Sequence, residues 1–250
     1  MYSSYAKRRI FNQTLLMLAG ILLVGSSFDD QILQVGSFSA YESPTPFVDG
    51  WELIKLGQED PTDYQFVDMG GTRVVRAASD NAVSGLRKKI KVDPAEYPLI
   101  NWRWQISNLL ESGDVTSKKG DDFAARIFIT FEYDIKKLPF GERLKYRTVK
   151  LLGYNDIPLR AINYIWANKA EAGTIVNNAH TSWVKMIAVR DSNTPLNSWH
   201  TEVRNIYEDY EAAFGEKPGA ITSIAIMTDT DNTGESTMAY FGDIVLQKSQ

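Results

Sequence analysis

Alternation of apolar and polar side chains along residues 99–107 constrains this fold more than any other feature of the sequence. Trp102 and Trp104 fall at even positions, whereas Arg103 and Gln105 fall at odd positions. Successive side chains of a β-strand point to opposite faces, so this segment is predicted to be a strand with its tryptophans in a core. Arg103 and Gln105 are then expected on the opposite face of the same sheet.

Further runs of strand length follow along the chain and are separated by turn residues. In the segment 123–131 every odd position is apolar, which predicts another strand with one face in the core. Clusters of Gly, Asn and Asp between the runs indicate turns, because glycine tolerates positive φ and Asn and Asp bond their own backbone. The predicted strands are 51–56, 73–78, 85–92, 99–107, 123–132, 161–166, 183–190, 200–206, 221–228 and 237–246. The pattern favours an all-β sandwich or barrel.

Two short helices are also predicted. The segment 207–214 is rich in helix formers, Gly215 fits the position after a helix, and Pro218 prevents continuation. A second helix is expected near 136–147, where charges surround a few apolar residues.

The N-terminus has the pattern of a secretory signal peptide. Three cations at 7–9 precede an uncharged apolar run at 15–24, and small residues follow at 25–27. The apolar run is short for a membrane span, which needs about 20 residues. We therefore expect export to the periplasm or beyond, with an uncleaved N-terminal anchor as the alternative.

The domain organisation follows from these signals. Residues 1–26 are predicted to be the signal peptide, and residues 27–46 a linker in which Pro44 and Pro46 favour extended backbone. Residues 47–250 are expected to form a single β-sandwich domain. No membrane contact is expected after signal cleavage, and the oligomeric state is left open.

Charge and composition exclude several classes of function. The net charge of −4 becomes −7 without the three cations of residues 1–26, which contain no acid, so a nucleic-acid surface is not expected. The chain has no cysteine, which excludes disulfides, thiolate metal sites and thiol catalysis.

Several motifs taken together resemble a known family. They are DMGG (68–71), RVVRA (73–77), DPAEYP (93–98), NWRW (101–104), GDD (120–122) with Ala125-Arg126, NYIWA (163–167) and IMTDTDNTG (226–234). This set and its order resemble the domain of unknown function 3047 family (DUF3047) of bacterial exported proteins, over about residues 47–246. The family implies no established activity, so it implies no catalytic residue.

The overall layout is also similar to the jelly-roll, galactose-binding-like sandwiches of carbohydrate-binding modules. In such sandwiches a first strand near the N-terminus pairs with a final strand that resembles residues 239–244. We therefore expect a mostly-β, jelly-roll sandwich with one or two short helices. Likeness at the level of the fold does not determine function.

The loop at 229–235 is the most metal-like segment. Asp229, Asp231, Thr233 and Glu235 offer closely spaced oxygen ligands of the kind that calcium prefers. Position twelve of an EF-hand would be Tyr240 instead of glutamate, so this loop is not an EF-hand. The alternatives are a structural calcium site and a turn in which Asp and Asn cap their own backbone.

Polar residues near aromatic residues are candidates for ligand binding. Exposed Trp or Tyr rings stack on the C–H faces of sugars, and Arg, Asn or Gln bind the hydroxyl groups. An alternative for Arg126 is an internal ion pair with the acids at 120–122. The candidate residues are Arg103, Gln105, Arg126, Asn163, Trp166, His180 and Lys185.

Three hypotheses for function remain open. The first is a non-catalytic module that binds carbohydrate or another cell-envelope ligand. The second is a polysaccharide lyase or glycoside hydrolase, in which His180 or Tyr164 moves protons and Arg103 or Arg126 neutralises a uronate. The third is a structural envelope protein with a protein partner.

Overall fold

The computed structural model describes residues 31–56, 58–151 and 157–249. The predicted signal peptide, residues 1–26, lies outside them. Within the described residues the chain forms fourteen strands and two α-helices, and the strands make two sheets.

The first sheet is antiparallel and is built around β6, the strand predicted from the alternating tryptophans. β13 and β14 follow each other along one edge of β6, and β11 pairs with the other edge. β4 then continues from β13, β3 from β4, and β1 from β14. The strands of this sheet are β1 (Ile32–Gly36), β3 (Asp63–Met69), β4 (Thr72–Asp80), β6 (Leu99–Ile106), β11 (His200–Asn205), β13 (Ser236–Phe241) and β14 (Ile244–Gln247).

The second sheet has the order β2-β5-β12-β7-β8-β10-β9. Its pairs are antiparallel except for β8 and β10, which run parallel. Its strands are β2 (Trp51–Lys55), β5 (Ser84–Val92), β7 (Arg126–Phe131), β8 (Ala161–Trp166), β9 (Ile175–Asn177), β10 (Val184–Arg190) and β12 (Ile221–Met227).

Aromatic side chains from both sheets meet in the core. Trp102 of β6 stacks on Tyr164 of β8 with ring centroids 5.4 Å apart, and Trp104 lies 5.9 Å from Trp166. All four side chains are buried. The inner faces of the two sheets therefore pack on each other, and the predicted β-sandwich is confirmed.

The two helices are α1 (Phe140–Leu151) and α2 (Ile206–Phe214). Asn205 caps the start of α2, and Gly215 ends it with φ of 70°, as predicted. α1 begins later than predicted because Leu138 precedes Pro139, and a residue before proline is disfavoured in helical conformation. No helix among the described residues is long and apolar enough to cross a membrane.

The prediction of a linker over 27–46 is wrong for the described part of that segment. β1 pairs with β14, and Phe38 is fully buried in the core. Ser39 donates hydrogen bonds from its backbone N–H and its hydroxyl to the carboxylate of Asp243, at 2.8 and 2.5 Å. Burial of the apolar side chain of Phe38 in the core is favourable, whereas an extended, solvated linker would leave that side chain in water.

Other strands also differ from prediction. β3 was not predicted, although Tyr64 and Phe66 alternate with polar residues along it. β9 is a three-residue edge strand without an alternating pattern. The predicted final strand is divided at Gly242 and Asp243 into β13 and β14, where the backbone N–H of Gly242 donates to the carbonyl of Arg103 at 2.9 Å.

Asp209 of α2 joins both sheets through hydrogen bonds. The hydroxyl of Tyr164 in β8 donates to its Oδ2 at 2.6 Å, and Nε of Arg204 in β11 donates to the same atom at 2.9 Å. Burial, followed by the adjacent carboxylate, raises the pKa of Tyr164 well above its usual value. The hydroxyl is therefore a neutral donor in the folded protein.

We expect Asp209→Ala to lower the free energy of unfolding by about 2–3 kcal/mol, because it leaves a buried hydroxyl and a half-buried guanidinium without their acceptor. Tyr164→Phe is the matched control. It removes one donor and leaves the Asp209–Arg204 pair, so about 1 kcal/mol is expected. Denaturant unfolding measures both free energies. If the two substitutions lowered the free energy of unfolding equally, the Asp209–Arg204 ion pair would not contribute to stability.

Candidate functional site

Arg103 and Gln105 lie on the outer face of the first sheet, as the alternation predicts. Tyr240 of β13 is paired directly with Gln105 across the sheet. Trp199 lies immediately before β11 on the other edge of β6, and its ring is 4.6 Å from the guanidinium carbon of Arg103. We call these four residues the Arg103 face.

The polar groups of the Arg103 face lack partners within the described part of the chain. Among the residues that the structure describes, the side chains of Arg103, Gln105 and Tyr240 make no hydrogen bond or ion pair. The neighbouring Arg76, which pairs with Tyr240 across the sheet, is instead bound to Asp63 at 2.8 Å. Arg103 therefore keeps its five N–H donors for another acceptor.

Gly242 makes room for Arg103. A Cβ atom at Gly242 would lie 2.5 Å from both Cγ and Nε of Arg103, which is closer than atoms can pack. Gly242 has no positive φ, so glycine is needed here for space and not for backbone conformation. The side chain of Arg103 is therefore held between this bare stretch of backbone and the ring of Trp199.

The Arg103 face is partly accessible, although Gln105 itself is only 7% exposed. Val203 is 58% exposed and Met238 is 39% exposed, and both belong to strands of the same sheet. Trp199 and Tyr240 are partly exposed. The face therefore combines aromatic surface with unpaired hydrogen-bonding groups, the combination that stacks on a sugar ring and binds its hydroxyl or carboxylate groups.

The prediction that Arg126 binds a ligand is wrong. Arg126 is buried, and its Nε donates to Oδ1 of Asp229 at 2.7 Å while Nη2 donates to Oδ2 of the same residue. Nη2 also donates to the carbonyl of Asp121, and the guanidinium lies 4.5 Å from the ring of Phe123. Burial lowers the pKa of Arg126, but the carboxylates of Asp229 and Asp121 together raise it more strongly. The guanidinium therefore stays charged within an internal ion pair.

Asp122 organises the loop that was predicted to bind metal. Its carboxylate accepts hydrogen bonds from the backbone N–H groups of Asn232 and Thr233, at 3.0 and 2.7 Å, and from both their side chains. Asp122 was missed as a central residue, although it stands in the acidic motif at 120–122. Its carboxylate ties together two loops that are about a hundred residues apart in the chain.

The predicted set of metal ligands is not assembled. Glu235 accepts hydrogen bonds from the backbone N–H groups of Glu111 and Ser112, at 2.8 and 2.9 Å, and Thr233 donates to Asp122. The carboxylates that converge are instead those of Asp122, Asp229 and Asp231, each with an oxygen within 4.8 Å of the others. Calcium stays a prediction, with this corrected set of ligands.

Asp231 is the least satisfied member of this cluster. Its Oδ1 is buried and has no hydrogen-bond partner among the described residues. Burial, followed by the neighbouring carboxylate of Asp122, raises the pKa of Asp231 to about 6. Burial also raises the pKa of Asp229, against the attraction of Arg126. The cluster therefore favours a proton, or another cation, beside Arg126.

The other predicted ligand-binding residues lie apart from the Arg103 face. Trp166 is 1% exposed and packs between the sheets, and Asn163 is fully buried, so neither can touch a ligand in this structure. His180 is half exposed, with Nε2 3.7 Å from Oδ2 of Asp121. Lys185 donates to Oδ1 of Asn177 at 2.7 Å.

The proton-transfer arrangement of the enzyme hypothesis is not assembled. Tyr164 points into the core and binds Asp209, whereas His180 lies near Asp121 at the surface. Arg126 is closed off by Asp229, and Arg103 belongs to the other sheet. His180 and Arg126 do approach the same carboxylate, with Nη1 of Arg126 3.5 Å from Oδ1 of Asp121. Arg126 and Tyr164 are nevertheless both buried, so neither can reach a substrate beside His180.

Comparisons with known proteins show the family and include distant structural likenesses. A family model described as "Protein of unknown function (DUF3047)" matches residues 49–245. A search of curated proteins found no match. Among solved structures, the chain is similar to the family 30 carbohydrate-binding module of cellulosomal cellulase Cel9D-Cel44B of Clostridium thermocellum. That comparison has 10% sequence identity and a TM-score of 0.39, and covers 88% of this chain and 98% of that chain.

Asp231 is expected to make stability depend on pH. The folded protein holds its proton with a pKa of about 6, above the ordinary value of 3.8, so the unfolded chain releases that proton first as pH rises. The contribution of Asp231 to the free energy of unfolding therefore falls between about pH 4 and about pH 6. We expect Asp231→Asn to gain stability over the parent across that window and to keep the gain at neutral pH. Denaturant unfolding at several pH values measures the difference, and a difference independent of pH contradicts the raised pKa.

Proposed function

We propose that this chain, which belongs to the DUF3047 family of proteins of unknown function, is a non-catalytic module that binds carbohydrate on the Arg103 face. The observation that carries the proposal is the state of Arg103. Its guanidinium is held on Trp199 and has no internal acceptor in the described part of the chain.

An arginine in this state is suited to recognise an extended ligand. Stacking on Trp199 restricts the guanidinium, so less side-chain freedom is lost when a ligand binds. Its planar donors fit the carboxylate of a uronic acid or a pair of hydroxyl groups. Tyr240, one strand away, adds a partly exposed ring and a hydroxyl group. Gln105 lies two residues along β6 from Arg103 and is largely buried.

The proposed place of action is outside the cytoplasm, in the periplasm or beyond. This part of the proposal depends on the cations at 7–9 and the apolar run at 15–24, which have the pattern of an export signal. Polysaccharides of the cell envelope would then be accessible to the Arg103 face.

A protein partner is the second candidate for the same surface. Val203 and Met238 are exposed apolar side chains on strands of that sheet, and apolar surface rimmed by polar groups is typical of an interface. A lyase or hydrolase is disfavoured, because Arg126 is buried on Asp229 and Tyr164 is buried on Asp209, where neither can reach a substrate.

We expect Arg103→Ala and Trp199→Ala to weaken polysaccharide binding by about tenfold or more, since a hydrogen bond to a charged group contributes about 1.5–3 kcal/mol. Binding is measured on a panel of neutral and uronate-containing polysaccharides, with product release assayed in parallel. Lys89→Ala, an exposed cation of the other sheet, is the control and should bind as the parent does. Unchanged binding by both face variants overturns the proposal, and product release would restore the enzyme hypothesis.

Gly242→Ala tests the position of Arg103 without removing any of its atoms. The added methyl group would displace the arginine side chain from the backbone beside it, so weaker binding is expected with the guanidinium still present. Circular dichroism and denaturant unfolding establish that this variant keeps the sandwich. Binding equal to that of the parent in a folded Gly242→Ala protein would show that the observed placement of Arg103 is not required.

Calcium at Asp122, Asp229 and Asp231 is tested separately from carbohydrate binding. A bound ion raises the free energy of unfolding with its concentration, by about 2.7 kcal/mol at a hundred times its dissociation constant. We expect added calcium to raise the unfolding midpoint of the parent relative to chelator, and to have no such effect on Asp231→Asn. An unchanged midpoint in the parent favours the alternative, in which Arg126 and the backbone N–H groups alone hold the loop.

A further inference from the structure

Within the described residues, α1 contacts the sandwich through one side of the helix. Tyr146 packs edge to face on Trp183 with ring centroids 5.3 Å apart. Glu142, one turn earlier on the same side, accepts a hydrogen bond from Nε1 of Trp183 at 2.9 Å. No side chain of the helix is fully buried.

The opposite side of α1 exposes large apolar side chains. Phe140 is 74% exposed, Leu144 is 57% exposed and Leu151 is 87% exposed. Their spacing of four and then seven residues places them on one helical face, which we call the apolar stripe. No contact within the described residues accounts for the exposure of three large apolar side chains on one helical face.

Positive charge surrounds the apolar stripe. Residues 136–151 contain six cations and one acid, in a chain whose net charge is −4. Arg143 and Arg147 have no carboxylate partner among the described residues, and Arg147 lies on the same helical face as the stripe. Most other arginines of the sandwich are ion-paired, for example Arg160 with Glu216 and Arg190 with Glu202.

We propose that α1 is a membrane-surface helix that binds a bilayer containing anionic lipids. A helix with an apolar face and many Lys and Arg residues lies in the plane of the lipid headgroups, with the apolar face at the start of the acyl chains. The cations interact with lipid phosphates, and their long alkyl chains let the charged ends reach the headgroup level. This site is separate from the Arg103 face, and it revises the expectation that the exported domain makes no membrane contact.

Charge complementarity selects the lipid surface over the chain's own N-terminus. The N-terminal segment is apolar at 15–24 but carries the cations Lys7, Arg8 and Arg9, so it would repel the surroundings of the stripe. An anionic bilayer satisfies both the apolar side chains and the cations. A second copy of the chain, which offers acidic surface, is an outcome that the experiment separates.

The absence of cysteine allows a site-specific test on the full chain. Thr148→Cys, at an exposed position next to the stripe, is labelled with an environment-sensitive fluorophore. Vesicles of phosphatidylcholine alone are compared with vesicles that also contain phosphatidylglycerol. We expect a blue shift, and quenching by brominated lipid, only with the anionic vesicles, and loss of both at high salt.

Matched variants separate the apolar stripe, the charge and the N-terminal segment. In the Thr148→Cys background, Phe140→Ser with Leu144→Ser removes apolar surface, and Arg143→Glu with Arg147→Glu reverses charge. Either pair should abolish the shift, whereas Lys118→Glu with Lys119→Glu, at exposed positions elsewhere, should leave it unchanged. A label at Ser192→Cys, in an exposed turn, should not respond even where the N-terminal segment itself inserts.

Three results would overturn the proposal. The first is the absence of a shift at residue 148 with every vesicle. The second is an equal shift with zwitterionic and anionic vesicles, or in the charge-reversed protein. The third is a shift that rises with protein concentration without lipid, which would assign the stripe to contact between copies of the chain.

Discussion

The stack of Trp102 on Tyr164 determines how the rest of the molecule is arranged. It joins the central strand β6 of one sheet to β8 of the other, and aromatic pairs of this kind contribute about 0.5–1.5 kcal/mol beyond their buried area. Because side chains alternate along a strand, turning Trp102 inward turns Arg103 outward. The core contact therefore places the candidate binding residue on the surface.

Internal charge pairing distinguishes structural from functional arginines. Arg126 and Arg204 are each bound by a buried carboxylate, and their charge is used to join loops, a helix and strands. Arg103 and the arginines of α1 have no such acceptor among the described residues. All of these residues are the same type of side chain, so the difference between them lies in their surroundings. Unpaired charge at two separate surfaces is what supports a ligand on one and a lipid bilayer on the other.

The acidic cluster shows how tertiary contacts change an interpretation based on spacing. Within the loop at 229–235, consecutive oxygen-bearing residues resemble the start of a calcium site. In the folded chain Glu235 turns to the backbone at residues 111 and 112, and Asp122 joins the cluster from another loop. The spacing of ligands along the chain did not predict these partners, because they are set by the packing of two loops that are distant in sequence.

Local patterns were enough to establish the class of fold, most strands, both helices and the outward position of Arg103 and Gln105. Each of these depends on a period of two, a helix cap or a turn residue, and such signals are contained in neighbouring residues. Only the tertiary structure decided that Trp199 and Tyr240 flank Arg103, that Arg126 is buried on Asp229, and that residues 32–36 belong to the sandwich. These outcomes depend on strand register and on contacts between residues about a hundred or more positions apart in the chain. Local alternation of apolar and polar residues does not specify which strands pair.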